Sequence, residues 1–292
     1  MKGEEHLWGV LNDKLDTLRA TNQMAEAIRV GQSALEIAKR SFGAADIRLA
    51  QSYEKLGLLH EQNDDRSGAK AYLISAHRIL VRLQPAHGQA IFQSSRRLGQ
   101  LCNQLGQSEE AIDFYEQAVA AAPQIPELPF SDLGALLNNV ALICRKAGRA
   151  ATAEPYYLRA LQVYENQLGP EHPDVASVLN NLGVFYTNEK RFTEAEQIHL
   201  RALAIREKTF PPNHPDIAQS KCNLAVVYHS RGEYDRASEL YRASLQTWED
   251  AVAKPPEEYE VVAANYADLL RSLGKARKAH ALESRARKKR RG

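Results

Sequence analysis

The feature that most constrains this chain is a period of 42 residues. The segments 170–210 and 212–252 both hold His-Pro-Asp, as His172-Pro173-Asp174 and His214-Pro215-Asp216. Asn181-Leu182 then answers to Asn223-Leu224, and Ala195 to Ala237, at the same offset of 42. The spacing runs through the sequence. One alanine register reads Ala27, Ala69, Ala111, Ala153, Ala195, Ala237 and Ala279. A second reads Ala34, Ala76, Ala118, Ala160, Ala202, Ser244 and Ala286. A third small-residue register reads Gly57, Gly99, Ala141, Gly183, Ala225 and Ala267. A period of this length is the mark of stacked supersecondary units, each too small to bury its own apolar face.

Within a unit the pattern is helical. Val175, Val178, Leu179, Leu182 and Tyr186 fall on one face of a helix. The stretch 188–191 breaks it, and Ala195, Ile198, Ala202 and Ile205 begin a second helix. Elsewhere the break carries Gly106, Gly148, Gly232 or Gly274, residues that stop a helix by turning left-handed. The small registers let one helix backbone approach its neighbour. The expectation is an all-α, right-handed superhelical solenoid of seven antiparallel helix pairs. It is a single array over residues 4–284, with units near 4–43, 44–86, 87–127, 128–169, 170–211, 212–253 and 254–284. A basic tail follows over 285–292.

Such a hairpin resembles a tetratricopeptide repeat. The 42-residue period, with His-Pro-Asp-Val/Ile-Ala and Asn-Asn-Leu-Gly or Cys-Asn-Leu-Ala, is similar to the longer repeats of kinesin light chains. The segment from Leu136 to Trp248 carries the resemblance best. It implies a protein–protein interaction module, an adaptor or scaffold that binds a peptide in a concave groove lined by first helices. Nothing in the chain resembles the heptad region by which light chains join kinesin, so a motor role does not carry over.

The polar residues in the groove register are the candidate site. Asn139, Asn181, Asn223 and Asn265 occupy one position of four successive first helices, with Asn138 and Asn180 beside two of them. Asparagine is a mediocre helix former, and its amide offers donor and acceptor to a peptide main chain. The alternative is that these amides hold the repeats together. Lys55 and Arg97 continue the register, with Arg96, Arg145 and Lys146 nearby. A groove basic in its first half would favour an acidic peptide, though Glu54 and Glu61 dilute the field.

No catalytic residue is expected. Phosphate loops, His-Glu-x-x-His and Gly-x-Ser-x-Gly are missing from the sequence. The two His-Pro-Asp motifs read as helix starts, with no metal or other cofactor implied. Cys102, Cys144 and Cys222 are odd in number and read as core thiols in a reducing cytoplasm. No run of about 18 apolar residues suggests a membrane span, and Met1 to Val10 does not read as a secretory signal.

Six basic residues and no acid lie between Arg285 and Arg291, while the rest of the chain holds 32 basic against 36 acidic residues. This tail reads as the polar end of a capping helix. The alternative function is a regulatory or nucleic-acid-associated protein that uses it, although nucleic acid is not the expected partner. Salt dependence of binding separates the two readings.

Overall fold

The computed structural model describes residues 2–83, 87–252 and 255–291. Fourteen α-helices and one short 3-10 turn form the described residues, with no strand among them. They gather into two compact bodies, Met1–Gly148 and Arg149–Gly292. The first holds α1 (Lys2–Ala20), α2 (Met24–Ser41), α3 (Ile47–Gln62), α4 (Arg66–Arg82), α5 (Gly88–Gln104), α6 (Ser108–Ala121) and α7 (Phe130–Lys146). The second holds α8 (Ala150–Leu168), α9 (Pro173–Asn188), α10 (Phe192–Thr209), α11 (Pro215–Ser230), α12 (Tyr234–Ala251), α13 (Glu257–Ser272) and α14 (Ala276–Arg291). The division falls between α7 and α8, inside the unit expected over 128–169. The unit boundaries expected at 86 and 253–254 lie outside the described residues.

Helices pack with their chain neighbours: α1 on α2, α3 on α4 and α5 on α6 in the first body, then α9 on α10, α11 on α12 and α13 on α14 in the second. All fourteen residues of the two expected alanine registers are at most 2% exposed. Ser244 fits among the alanines because its hydroxyl donates to the Ala218 carbonyl at 2.7 Å. The third register has a direct steric cause. A Cβ on Gly99 would stand 2.7–2.8 Å from the Tyr115 ring, and one on Gly183 would stand 2.5–2.7 Å from the His199 ring. A second-helix aromatic therefore lies on the backbone of its own first helix.

Each first helix ends the same way. One left-handed residue recurs every 42 positions: Asn22, Asp64, Gly106, Gly148, Lys190, Gly232 and Gly274. The amide of the next residue reaches back five places, as Gln107 to the Cys102 carbonyl at 2.9 Å and Arg191 to that of Tyr186 at 2.9 Å. This bond satisfies an orphan carbonyl of the last turn. It forms with or without glycine. The His-Pro-Asp starts also resolve. Nδ1 of His172 and of His214 accepts the backbone N–H of Asp174 and Asp216, at 3.2 and 3.1 Å. The histidine is the cap, and the proline holds the first helical position.

Residues 285–291 continue α14 without a break. Ala286 is buried, and Arg285 and Lys289 both contact Glu249 of α12, at 2.9 and 2.8 Å. Arg290 pairs with Glu260 of α13 at 3.0 Å. Half of the expected tail's cations are thus tied to acids of α12 and α13. Residue 292 lies outside the described residues.

Candidate functional site

The candidate residues lie on the first helices α3, α5, α7, α9, α11 and α13. In the first body, ion pairs join successive first helices. Lys55 of α3 pairs with Asp16 of α1 at 2.7 Å, and Arg97 of α5 with Glu61 of α3 at 2.8 Å. Arg96 reaches Asp132 of α7 at 3.5 Å and Gln93 at 2.9 Å. The expected basic half-groove is therefore largely neutralised. Partly exposed pairs of this kind contribute at most about 1 kcal/mol each, so they set the charge of the face more than its stability. Arg145 is half-buried, and its Nε has no hydrogen-bond partner.

In the second body amides take over the same task. Asn223 of α11 donates from Nδ2 to Oδ1 of Asn180 on α9, and accepts from Gln219 Nε2 at 2.9 Å. One repeat later, Asn265 Nδ2 lies 3.9 Å from Cys222 Sγ. Both links step 43 residues, from one register to the position beside it in the preceding unit. Asn138 and Asn181 are also engaged. Asn138, Asn180, Asn181, Asn223 and Asn265 are thus half-buried and engaged within the chain.

Asn139 differs. It is exposed and has no side-chain partner among the described residues. It lines a cleft of about 330 Å³ between α5 and α7 with Gln100, Asn103, Gln104, Tyr115, Leu142, Ile143 and Lys146. Gln100, Asn103 and Gln104 share one face of α5, while Asn139, Leu142, Ile143 and Lys146 share one face of α7. None of the four carboxamides, nor the Lys146 ammonium, is held by another side chain of the described residues. The cleft joins a polar rim to a floor of Tyr115 and Ile143, both buried.

A smaller cleft of about 190 Å³ lies between α9 and α11, lined by Val184, Thr187, Asn188, His199, Asn223 and Val226. Val184, Thr187, Asn188, His199, Asn223 and Val226 stand 84 residues after Gln100, Asn103, Gln104, Tyr115, Asn139 and Leu142. It is the same niche, two repeats on. Burial, with Arg206 in second place, pushes the His199 imidazole down to about 4, so the ring is neutral near pH 7. Arg206, 5% exposed, donates to the Asp216 carbonyl at 3.0 Å and to Ser220 Oγ at 2.7 Å.

Cys102, Cys144 and Cys222 are buried free thiols. Burial raises Cys102, and it pushes Cys222 up to about 11, leaving that thiol protonated and inert. Sequence reasoning missed the contacts made by the tyrosines of the same register. Tyr186 donates to Glu154 at 2.9 Å and Tyr228 to Glu196 at 2.7 Å, with Arg191 and Arg231 on the same carboxylates. The 42-residue offset from Glu154 to Glu196 was the available signal. Among the described residues no cluster of three or more His, Cys, Asp or Glu side chains could hold a metal ion, and no helix is long and apolar enough to cross a membrane.

Family models for the tetratricopeptide repeat match residues 132–186 and 174–250, and a further one matches 97–125. The chain belongs to the tetratricopeptide repeat family. That family is built for protein–protein interaction, and its members are typically non-enzymatic binding modules. Among solved structures, BtubC (BKLC) from P. vanneervenii is 26% identical, with a TM-score of 0.59 over 81% of this chain and 94% of that one. YrrB, described as a TPR protein with an unusual peptide-binding site, is 18% identical, with a TM-score of 0.51 over 74% of this chain and 92% of its own. The apo form of RapI is 14% identical, with a TM-score of 0.56 over 97% of each chain. No curated protein matches by sequence.

Proposed function

We propose that this tetratricopeptide protein is an adaptor or scaffold that binds an extended peptide segment along its first-helix face, with the cleft between α5 and α7 as a principal contact. The observation that carries the reading is the contrast in hydrogen bonding. Lys55, Arg96, Arg97, Asn180, Asn223 and Asn265 are taken up in links between repeats. Gln100, Asn103, Gln104 and Asn139 converge on one cleft with their amides unspent. An extended peptide presents an N–H and a carbonyl at each residue, and a carboxamide can meet either. With the Arg96 and Arg97 guanidinium groups paired, the peptide need not be acidic, and Lys146 is the one cation among the residues that line the cleft. The tail-based alternative gains no support from a helix end whose Arg285, Lys289 and Arg290 are already paired.

The test is selection of peptides from a random library on the full chain, followed by fluorescence anisotropy with a selected peptide. Asn139→Ala and Asn103→Ala should each weaken binding roughly 2- to 13-fold, the equivalent of a neutral hydrogen bond of about 0.5–1.5 kcal/mol. Helix content should not fall, since alanine is the better helix former. If both variants bind as the parent does, the cleft is not the site.

A further inference from the structure

We infer that the niche between α9 and α11 is a subsite for an uncharged carboxamide side chain, Asn or Gln, of a bound peptide, read by His199 and Asn223. The inference rests on the peptide-binding reading and names one residue class that the groove selects.

Three other repeats carry tyrosine in the register of His199, as Tyr115, Tyr157 and Tyr241, and all three are buried. Histidine at this place keeps the packing on Gly183 but is shorter than tyrosine. Above it remains the cleft of about 190 Å³, room for about six waters at roughly 30 Å³ each.

His199 is 1% exposed; its ring lies against the Gly183 backbone, and neither ring nitrogen has a side-chain hydrogen-bond partner among the described residues. A buried polar atom left in that state costs about 1–3 kcal/mol, and few buried polar groups in folded proteins go without a partner. His77, the other buried histidine, shows the usual solution, with Ser94 and Gln117 each 2.8 Å from a ring nitrogen. At His199 no side chain of the described residues takes that place, and the cleft beside the ring leaves room for a partner from outside the chain.

The chemistry of the lining narrows the occupant. Neutral imidazole offers one donor and one acceptor. Asn223 spends one N–H on Asn180 and one lone pair on Gln219, and keeps one of each. A carboxamide answers both residues, because it carries donor and acceptor on separate atoms. Val184 and Val226 flank its apolar stem. An ammonium group would be repelled by the buried Arg206 guanidinium, and a carboxylate would leave every acceptor of the niche unmet. On binding, the imidazole turns about its terminal torsion, whose well is broad, to present a nitrogen to the cleft.

The experiment uses the full chain with ring-15N-labelled histidine and single-residue probes. N-acetyl-glutamine N-methylamide should move the His199 ring resonances and the Val184 and Val226 methyls. The glutamate and leucine analogues at equal concentration should not. His199→Phe, which keeps an aromatic on Gly183, should weaken the glutamine response roughly fivefold or more, and Asn223→Ala provides a second variant outside the core. The inference is overturned if the three probes act alike, if none moves His199, or if only ordered water occupies the niche. A selected peptide that engages the α5–α7 cleft but leaves His199 undisturbed sinks this subsite alone. A glutamine response without any peptide binding sinks the broader reading alone.

Discussion

Between about pH 7.5 and pH 4.5 the parent protein should lose about 2.5 kcal/mol more folding stability than a His199→Tyr variant. In the fold His199 stays neutral down to about 4, from an ordinary value of 6.5, because burial and Arg206 oppose its charged form. The unfolded chain takes up a proton near 6.5. Inside that window the unfolded state binds more protons, so stability falls as the pH falls. The contribution is complete above 6.5 and is lost progressively towards 4. Tyrosine does not titrate there, and it is the residue that three other repeats carry at this place, as Tyr115, Tyr157 and Tyr241. His77 and His229 are shifted in the same direction but are common to both proteins, as are the depressed carboxyls of Glu154 and Glu194, so they cancel. Urea unfolding at several pH values reads the difference. Parallel curves would mean that His199 is not held neutral in the fold.

The second large effect lies one repeat further, at Tyr241. Its ring is fully buried, stacked 5.6 Å from Tyr266 and edge-on to His229 at 6.4 Å. Truncation to alanine should cost about 3–5 kcal/mol, as for other large aromatic residues in a close-packed core. The hydroxyl should contribute nothing favourable. Tyr186, Tyr228 and Tyr259 each donate to a glutamate, whereas the Tyr241 hydroxyl has no partner. Tyr241→Phe removes an unsatisfied buried group and should leave stability unchanged or raise it by up to about 1 kcal/mol. A Phe variant that unfolds as readily as the Ala variant would show that the hydroxyl is bound after all.

These two residues mark where sequence reading was strong and where it stopped. The small-residue registers were legible because their cause is steric and local: a missing side chain at every crossing, repeated at fixed spacing. The helix ends were legible where glycine supplied the left-handed turn. At Asn22 and Asp64 the same backbone turn forms with a weaker signal than glycine, and at Lys190 with a side chain that gives none. The asparagine register was visible, but its hydrogen bonding was not. The link from Asn223 to Asn180 runs diagonally, over 43 residues rather than 42, and a search for equal positions does not find it. For the same reason Lys55, Arg96 and Arg97 read as free cations. Their carboxylate partners Asp16, Asp132 and Glu61 lie 36 to 39 residues away, on faces that only packing brings together. Asn139 was named with its register, but the unspent amides of Gln100, Asn103 and Gln104 carried no periodic signal, because the equivalents of Gln100 and Gln104 in the next unit are Leu142 and Lys146.

The functional account therefore stands on one cleft more than on one register. Its most direct test is to map, by amide and side-chain NMR on the full chain, where a library-selected peptide binds. The account predicts that the largest shifts fall on the carboxamides of Gln100, Asn103, Gln104 and Asn139, with Leu142 and Ile143 beside them. Shifts confined instead to the exposed leucines of the second helices, Leu158 and Leu200, with the α5–α7 cleft unmoved, would contradict it.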